Sequence, residues 1–232
     1  MLTNEVAELY RAYTDESDAT FLSDNDVVTF LNVAYKQFRQ IVQNQDNFYF
    51  ATRVQINLNN QVSYDLSSNG PEPVTILGPA PTNAKMTRML RVGTDDGSGN
   101  LTSSIYLRPA RSTVELTNDI MRYMLESTIL RFSGVTDQLI NIEYVPEAPS
   151  VFTLANIQAG AGVEIDELTD YHDLIALLAY RHYAIKDFNN NPVVELQMNE
   201  RKQELINYLQ EGRSFNARST VIAVDELDYF NP

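Results

Sequence analysis

The side chains best suited to acid–base or metal chemistry are the two histidines, His172 and His182. Both fall in one segment patterned as a helix. Their spacing places them roughly 80° apart in azimuth and ~15 Å apart along the axis. A single metal ion holds its ligands at about 2 Å, so this pair is not spaced to share one. Their expected roles are structural, with His172 forming a hydrogen bond at the helix start. Neither lies near a nucleophile elbow, and no Ser-His-Asp triad is assigned. Carboxylates are abundant, but none sits in a recognisable glycosidase pairing. The run Asp95-Asp96-Gly97-Ser98-Gly99-Asn100 superficially looks like a calcium loop. It lacks the alternating ligands and the distal Glu, and reads as a plain turn. There is no Walker loop and no dinucleotide fingerprint. With no Cys in the chain, disulfides, thiolate metal sites and Cys nucleophiles are excluded. The expectation is a non-enzymatic protein with no catalytic residue, no metal and no cofactor.

Composition limits the partners. The 232 residues carry a formal net charge of −14. Duplex binding depends on Lys and Arg neutralising phosphates, so an acidic chain does not grip DNA. The acids concentrate in the two flanks, while residues 47–150 are nearly balanced. Two surfaces with different neighbours are implied. Hydrophobic residues make up 44%, enough for a core. No apolar run approaches the roughly 20 residues of a membrane span, and residues 1–10 read as no signal peptide. Absence of Cys fits synthesis in a reducing cytoplasm. The 13 Tyr, against no Trp, suit strands and wet interfaces.

The elements that must position these residues follow from periodicity. Residues 3–13 read as a helix capped by Thr3, with Val6, Leu9, Tyr10 and Tyr13 on one face. Ser23 and Asp26 form a capping-box-like pair opening a second helix to about Gln43. Its stripe is Val27, Phe30, Leu31, Ala34, Phe38, Ile41 and Val42. The period then changes to two. Strands are expected over 53–58, 61–66, 74–77, 87–92, 105–107, 121–125, 128–132 and 139–145, with Asn59-Asn60 supplying a tight turn between the first two. Residues 112–119 are ambiguous. Residues 151–168 form a linker, and a long helix follows over 170–187. Tyr171, Leu174, Ile175, Leu177, Leu178, Ala179, Tyr183, Ala184 and Ile185 nearly encircle it, as in a buried central helix. Pro192 suits the first turn of the next helix, which carries Val194, Met198, Leu205, Tyr208 and Leu209 to about Gln210. Gly212 reads as its C-cap.

The fold class is therefore α+β: a helical bundle built from both chain ends, with a central antiparallel β insertion and an extended C-terminal arm. The segments are 1–46 for the first half of the bundle, 47–150 for the β-rich insertion, 151–212 for the linker and completing helices, and 213–232 for the arm. Residues 219–224 read as a strand with no neighbouring partner, suited to adding onto another chain's sheet edge. Val221, Ile222, Val224, Leu227, Tyr229 and Phe230 are its candidate contact residues. In the insertion, Arg88, Arg91, Arg108, Arg111, Arg122 and Arg131 read first as a solvated strand face with cross-strand pairs, then as a docking surface for an acidic neighbour, and last as a DNA contact.

This layout resembles the head-to-tail adaptor (connector) proteins of tailed bacteriophages, on motifs that recur in order. Phe30-Leu31-Asn32-Val33-Ala34-Tyr35 looks like the family's hydrophobic-Asn-x-Ala-aromatic helix. Tyr64-Asp65-Leu66 looks like its hairpin, and Ile142-Glu143-Tyr144-Val145-Pro146 like its last strand before the helices. Tyr171-His172-Asp173-Leu174-Ile175 looks like the start of its core helix, and residues 224–230 like an acidic-aromatic terminus. The resemblance implies a homo-oligomeric ring, commonly twelve copies, at the virion neck. It would dock on the portal protein, carry the tail (nozzle or hub) protein, and let DNA pass through its lumen without specific binding. The C-terminal arm would contact the portal or a neighbouring subunit, and the Arg residues of the insertion would face the tail. The protein would be made in the bacterial host cytoplasm and touch no membrane. Competing readings are another tail or neck component and a carbohydrate-binding β module, the latter disfavoured by the lack of Trp.

Overall fold

A computed structural model describes residues 1–15, 22–57, 63–65, 86–95, 103–117, 122–126, 129–133, 139–187 and 191–225 of the chain. It divides into two compact units, one of Met1–Asp46 with Ala148–Pro232 and the other of Asn47–Glu147. Both ends of the chain thus belong to one unit, and the β-rich segment lies between them in sequence.

The first unit is helical. Helix α1 spans Thr3–Thr14, α2 Asp24–Gln45, α3 Asp173–Asp187 and α4 Pro192–Asp225. Helix α3 packs against each of the other three, which explains its apolar circumference. Leu174, Ile175, Ala176, Leu177 and Ala179 are fully buried, together with Val27, Leu31, Ala34, Phe38 and Val42 of α2. Helix α2 starts as its sequence predicts: Ser23 Oγ accepts the Asp26 N–H (3.2 Å) and donates to the Asp26 carboxylate (2.9 Å). Arg11 of α1 reaches Asp24 at 2.5 Å and ties the two helix ends together. Pro192 opens α4 in the position expected of it.

Three expectations for this unit are corrected. Thr3 does not cap α1. Leu2 holds that position, and its N–H donates to Glu5 (2.7 Å). Ile185 is 69% exposed at the end of α3, and Tyr208 on α4 is also exposed, so neither apolar face runs as far round as its spacing suggests. Helix α4 does not stop at Gly212. It continues to Asp225 and takes in residues 219–224, which the β-prone composition marks as a strand. Propagating an existing helix adds one hydrogen bond per residue, and an interior Gly costs only about 1 kcal/mol. A lone strand has no ladder to join.

The second unit carries strands β1 Thr52–Asn57, β2 Ser63–Asp65, β3 Met86–Asp95, β4 Ser103–Tyr106, β5 Arg108–Pro109, β6 Arg122–Glu126, β7 Ile129–Phe132 and β8 Leu139–Pro146. Among the described residues they form two sheets, ordered β1-β8-β3-β4 and β2-β7-β6-β5. Val54, Val92, Ile140, Ile142 and Tyr144 of the first sheet share a core with Leu130 and Phe132 of the second. The strands fall close to their expected places, but two pairings differ. The first two strands do not form a hairpin: β1 pairs with β8 and β2 with β7. The sheets are antiparallel except for the short β5, which runs parallel to β6. The ambiguous stretch after β5 is a 3-10 turn, Thr113–Thr117. The Asn59-Asn60 turn, the strand expected over 74–77 and residues 96–100 lie outside the described residues, as do Leu227, Tyr229 and Phe230.

Truncating Leu174 or Phe38 to Ala should destabilise the protein by about 2–5 kcal/mol, because the surrounding helices cannot close the cavity. Leu196→Ala, on the solvent side of α4, should stay within about 0.5 kcal/mol. Urea unfolding of the three variants checks the contrast.

Candidate functional site

In the helical unit, polar side chains converge on the segment 151–168 that leads into α3. Asn32 of α2 clamps it: its Nδ2 donates to the Phe152 carbonyl (2.8 Å), and its Oδ1 accepts the Phe152 N–H (3.2 Å). Thr3 donates to the Asn156 carbonyl (2.9 Å) and accepts the Val163 N–H (3.0 Å). Gly162 lies so close to α1 that an added Cβ would stand 2.9 Å from Leu2 Cβ and overlap the Asn4 side chain. At the end of the segment, Asp166 joins three groups. One oxygen takes the Leu168 N–H (2.9 Å) and faces His172 Nε2 (2.7 Å), and the other accepts from Tyr35 (3.3 Å). His172 is fully buried, with Nδ1 3.2 Å from the Met1 carbonyl and its ring edge-on to Phe38. Burial, then the Asp166 carboxylate, raise the Tyr35 phenol pKa well above its usual value. Tyr35 therefore serves as a hydrogen-bond donor.

Just beyond, Arg201 of α4 grips Asp173 at the start of α3 with two bonds, of 2.6 and 2.9 Å. It also reaches Glu204 and the Asp170 carbonyl, and its guanidinium lies 5.5 Å from the Tyr171 ring centre. The hydrogen bond to Asp173, ahead of the other causes, raises its already high pKa further. His182 stands apart. It stacks on Phe30 and has Nε2 3.2 Å from Gln37 Nε2. The two histidines thus have separate surroundings, and among the described residues no group of His, Asp or Glu is placed to hold a metal.

The arginines of the insertion are divided between the two sheets. Arg88 and Arg91 lie on β3, in the first sheet, and Arg108, Arg122 and Arg131 on β5, β6 and β7 of the second. Four have partners inside the unit. Arg88 donates to Asn47 (2.9 Å), and Arg91 lies over the Phe48 and Tyr106 rings. Arg122 pairs with Glu115 of the stretch after β5 (3.1 Å), and Arg131 of β7 with Glu126 of the neighbouring β6 (2.8 Å). Arg108 and Arg111 are exposed, and among the described residues their guanidinium groups make no ion pair. Beside them lies an open depression of about 400 Å³, lined by Met89, Pro109, Ala110, Arg111, Tyr123, Met124, Leu125 and Glu126.

Sequence reasoning singled out His172 but not the Asp166 that meets it, nor Arg201. An acid six residues ahead of a helix-start His matches neither the helical nor the strand period, and its third partner, Tyr35, lies 131 residues away in the chain. Val221, Ile222 and Val224 lie within α4. Among the described residues no helix is long and apolar enough to cross a membrane. The chain matches no protein-family model, and no curated protein matches it.

Replacing Asn32 with Ala leaves the Phe152 N–H and C=O without their partner. This should cost about 1–3 kcal/mol and speed protease cleavage within 151–168; unchanged cleavage would contradict the clamp. For His182, burial and then the Arg181 charge lower the pKa from 6.5. The unfolded chain then takes up the proton first. Its stabilising contribution is complete above about pH 6.5 and is lost as pH falls from there through the lower folded value. Thermal midpoints measured against pH should fall less steeply on the acid side in His182→Gln than in the parent.

Proposed function

We propose that this protein is a structural component of a tailed-phage virion: a head-to-tail adaptor whose copies form a ring under the portal and carry the tail. The observation that carries this reading is the joint task of the side chains that make the resemblance. Asn32 and Tyr35 in one motif, and His172 in the other, hold the segment 151–168, while Asp173 in that second motif fixes Arg201.

The charge distribution supports the same reading. The acidic flanks suit a lumen or solvent face along which DNA slides without being held. The nearly balanced insertion suits a protein neighbour such as the tail (nozzle or hub) protein. No residue is assigned a catalytic, metal or cofactor role. In the continued α4, Val221, Ile222 and Val224 would meet the portal or a neighbouring copy as part of a helix rather than as an added strand.

Mixing the purified protein with portal rings tests the proposal. Native mass measurement and electron microscopy should show a stoichiometric second ring, commonly of twelve copies. Portal rings that gain no mass at micromolar protein would overturn it.

A further inference from the structure

Two tyrosines meet where the approach to α3 lies against α4. Tyr171 ends the 3-10 turn Thr169–Tyr171, and Tyr208 sits on α4. Their ring centres are 5.4 Å apart and their planes are inclined by 39°. A tilted pair at that separation is in the contact range of aromatic rings. Tyr208 is 53% exposed and Tyr171 partly exposed, so small reagents in solvent reach the pair. Tyr180 and Tyr183 form a second pair on α3, wider at 6.1 Å and buried. An exposed side chain changes rotamer within nanoseconds, which lets the Tyr208 ring turn its edge toward Tyr171. Burial raises the Tyr171 phenol pKa, the Arg201 charge opposes this, and Tyr208, Glu204 and Asp170 add to it. A ring that gives up an electron gains positive charge, so the Glu204 and Asp170 carboxylates favour that step. Arg201, which would oppose it, is itself bonded to Asp173 and Glu204.

We propose that Tyr171 and Tyr208 are a modification site: they join as an intrachain dityrosine cross-link when the protein meets a one-electron oxidant. Each phenol gives up one electron to the oxidant and its hydroxyl proton to the buffer. The two tyrosyl radicals then form a carbon–carbon bond between ring positions ortho to the hydroxyls. The hydrogens on those carbons return to the phenol oxygens through solvent and restore both aromatic rings. The product is the original chain less two hydrogens. The chain contains no Cys, so no disulfide can lock its fold in oxidising surroundings. The tyrosine pair supplies the covalent alternative. It ties the start of α3 to α4 beside the Arg201–Asp173 bonds and restricts the unfolded chain as a disulfide does.

Brief photo-oxidation of the dilute full-length protein with a ruthenium tris-bipyridyl complex and persulfate tests it. The expected product is a single chain lighter by two hydrogens, with the blue fluorescence of a biphenol. Tandem mass spectrometry of its proteolytic digest should show the peptides carrying Tyr171 and Tyr208 joined. Tyr171→Phe and Tyr208→Phe each keep the ring and should leave the circular dichroism spectrum unchanged. Each should lose the joined peptide and most of the fluorescence. Unfolding in urea before illumination should lower the yield of this link about tenfold or more, because the folded chain holds the two rings together. No joined peptide overturns the proposal, as does a link found only between separate copies. A yield unchanged by urea, or fluorescence unchanged in both variants, overturns it as well.

Discussion

Asp166 is the hinge of the helical unit's architecture. Its carboxylate meets the buried His172 ring, the Tyr35 hydroxyl and the Leu168 N–H, and so joins α2 to the stretch that leads into α3. A buried polar network is stabilising only when its members are paired, because an unpaired buried polar group carries the full desolvation cost. The three groups must therefore arrive together. Their arrival sets the position of α3 against α2 and brings the segment 151–168 onto the surface where Asn32 and Thr3 bond to it. Apolar burial supplies most of the driving force, but it is non-directional. The hydrogen bonds to Asp166 select one packing among those the greasy α3 would accept.

The same logic divides the two units. In the helical unit directional bonds cluster on one segment. In the sheet unit the core is apolar, and charged pairs lie outside it, as in Arg122 with Glu115 of the 3-10 turn and Arg131 with Glu126 of the facing strand. Glu143 on β8 is an exception. It is buried and paired with Arg53 at 2.5 Å, while among the described residues its second oxygen has no hydrogen-bond partner. That arrangement places charge inside a sheet unit whose net charge is nearly balanced by sequence.

Local patterns told more about elements than about partners. The apolar circle around α3 and the Ser23–Asp26 pair were legible because each depends on neighbours three or four residues away. The β1–β2 hairpin was misread for the opposite reason. A turn signal reports that the chain reverses, whereas pairing is decided by distant strands competing for the same edges. The end of α4 was misread because Gly212 and the β-branched run after it argue from propensity, a weak prior that cooperative helix growth overrides. The candidate site was half visible: Asn32 and His172 stood out in their motifs, while Asp166 and Arg201 depend on which side chains happen to meet.

The placement of both chain ends in one unit has a consequence for synthesis. A ribosome adds roughly 5–20 residues per second, so the stretch between Asp46 and Asp173 takes on the order of ten seconds to make. Throughout that interval the apolar stripe of α2 has no α3 to cover it, while the strands of Asn47–Glu147 are already available to one another. The β unit is free to fold first, and the helical unit is completed only once α3 and α4 have been made. Whatever the helical unit binds, a truncated nascent chain presents no competent copy of it, so incomplete products are barred from any assembly that needs the finished bundle.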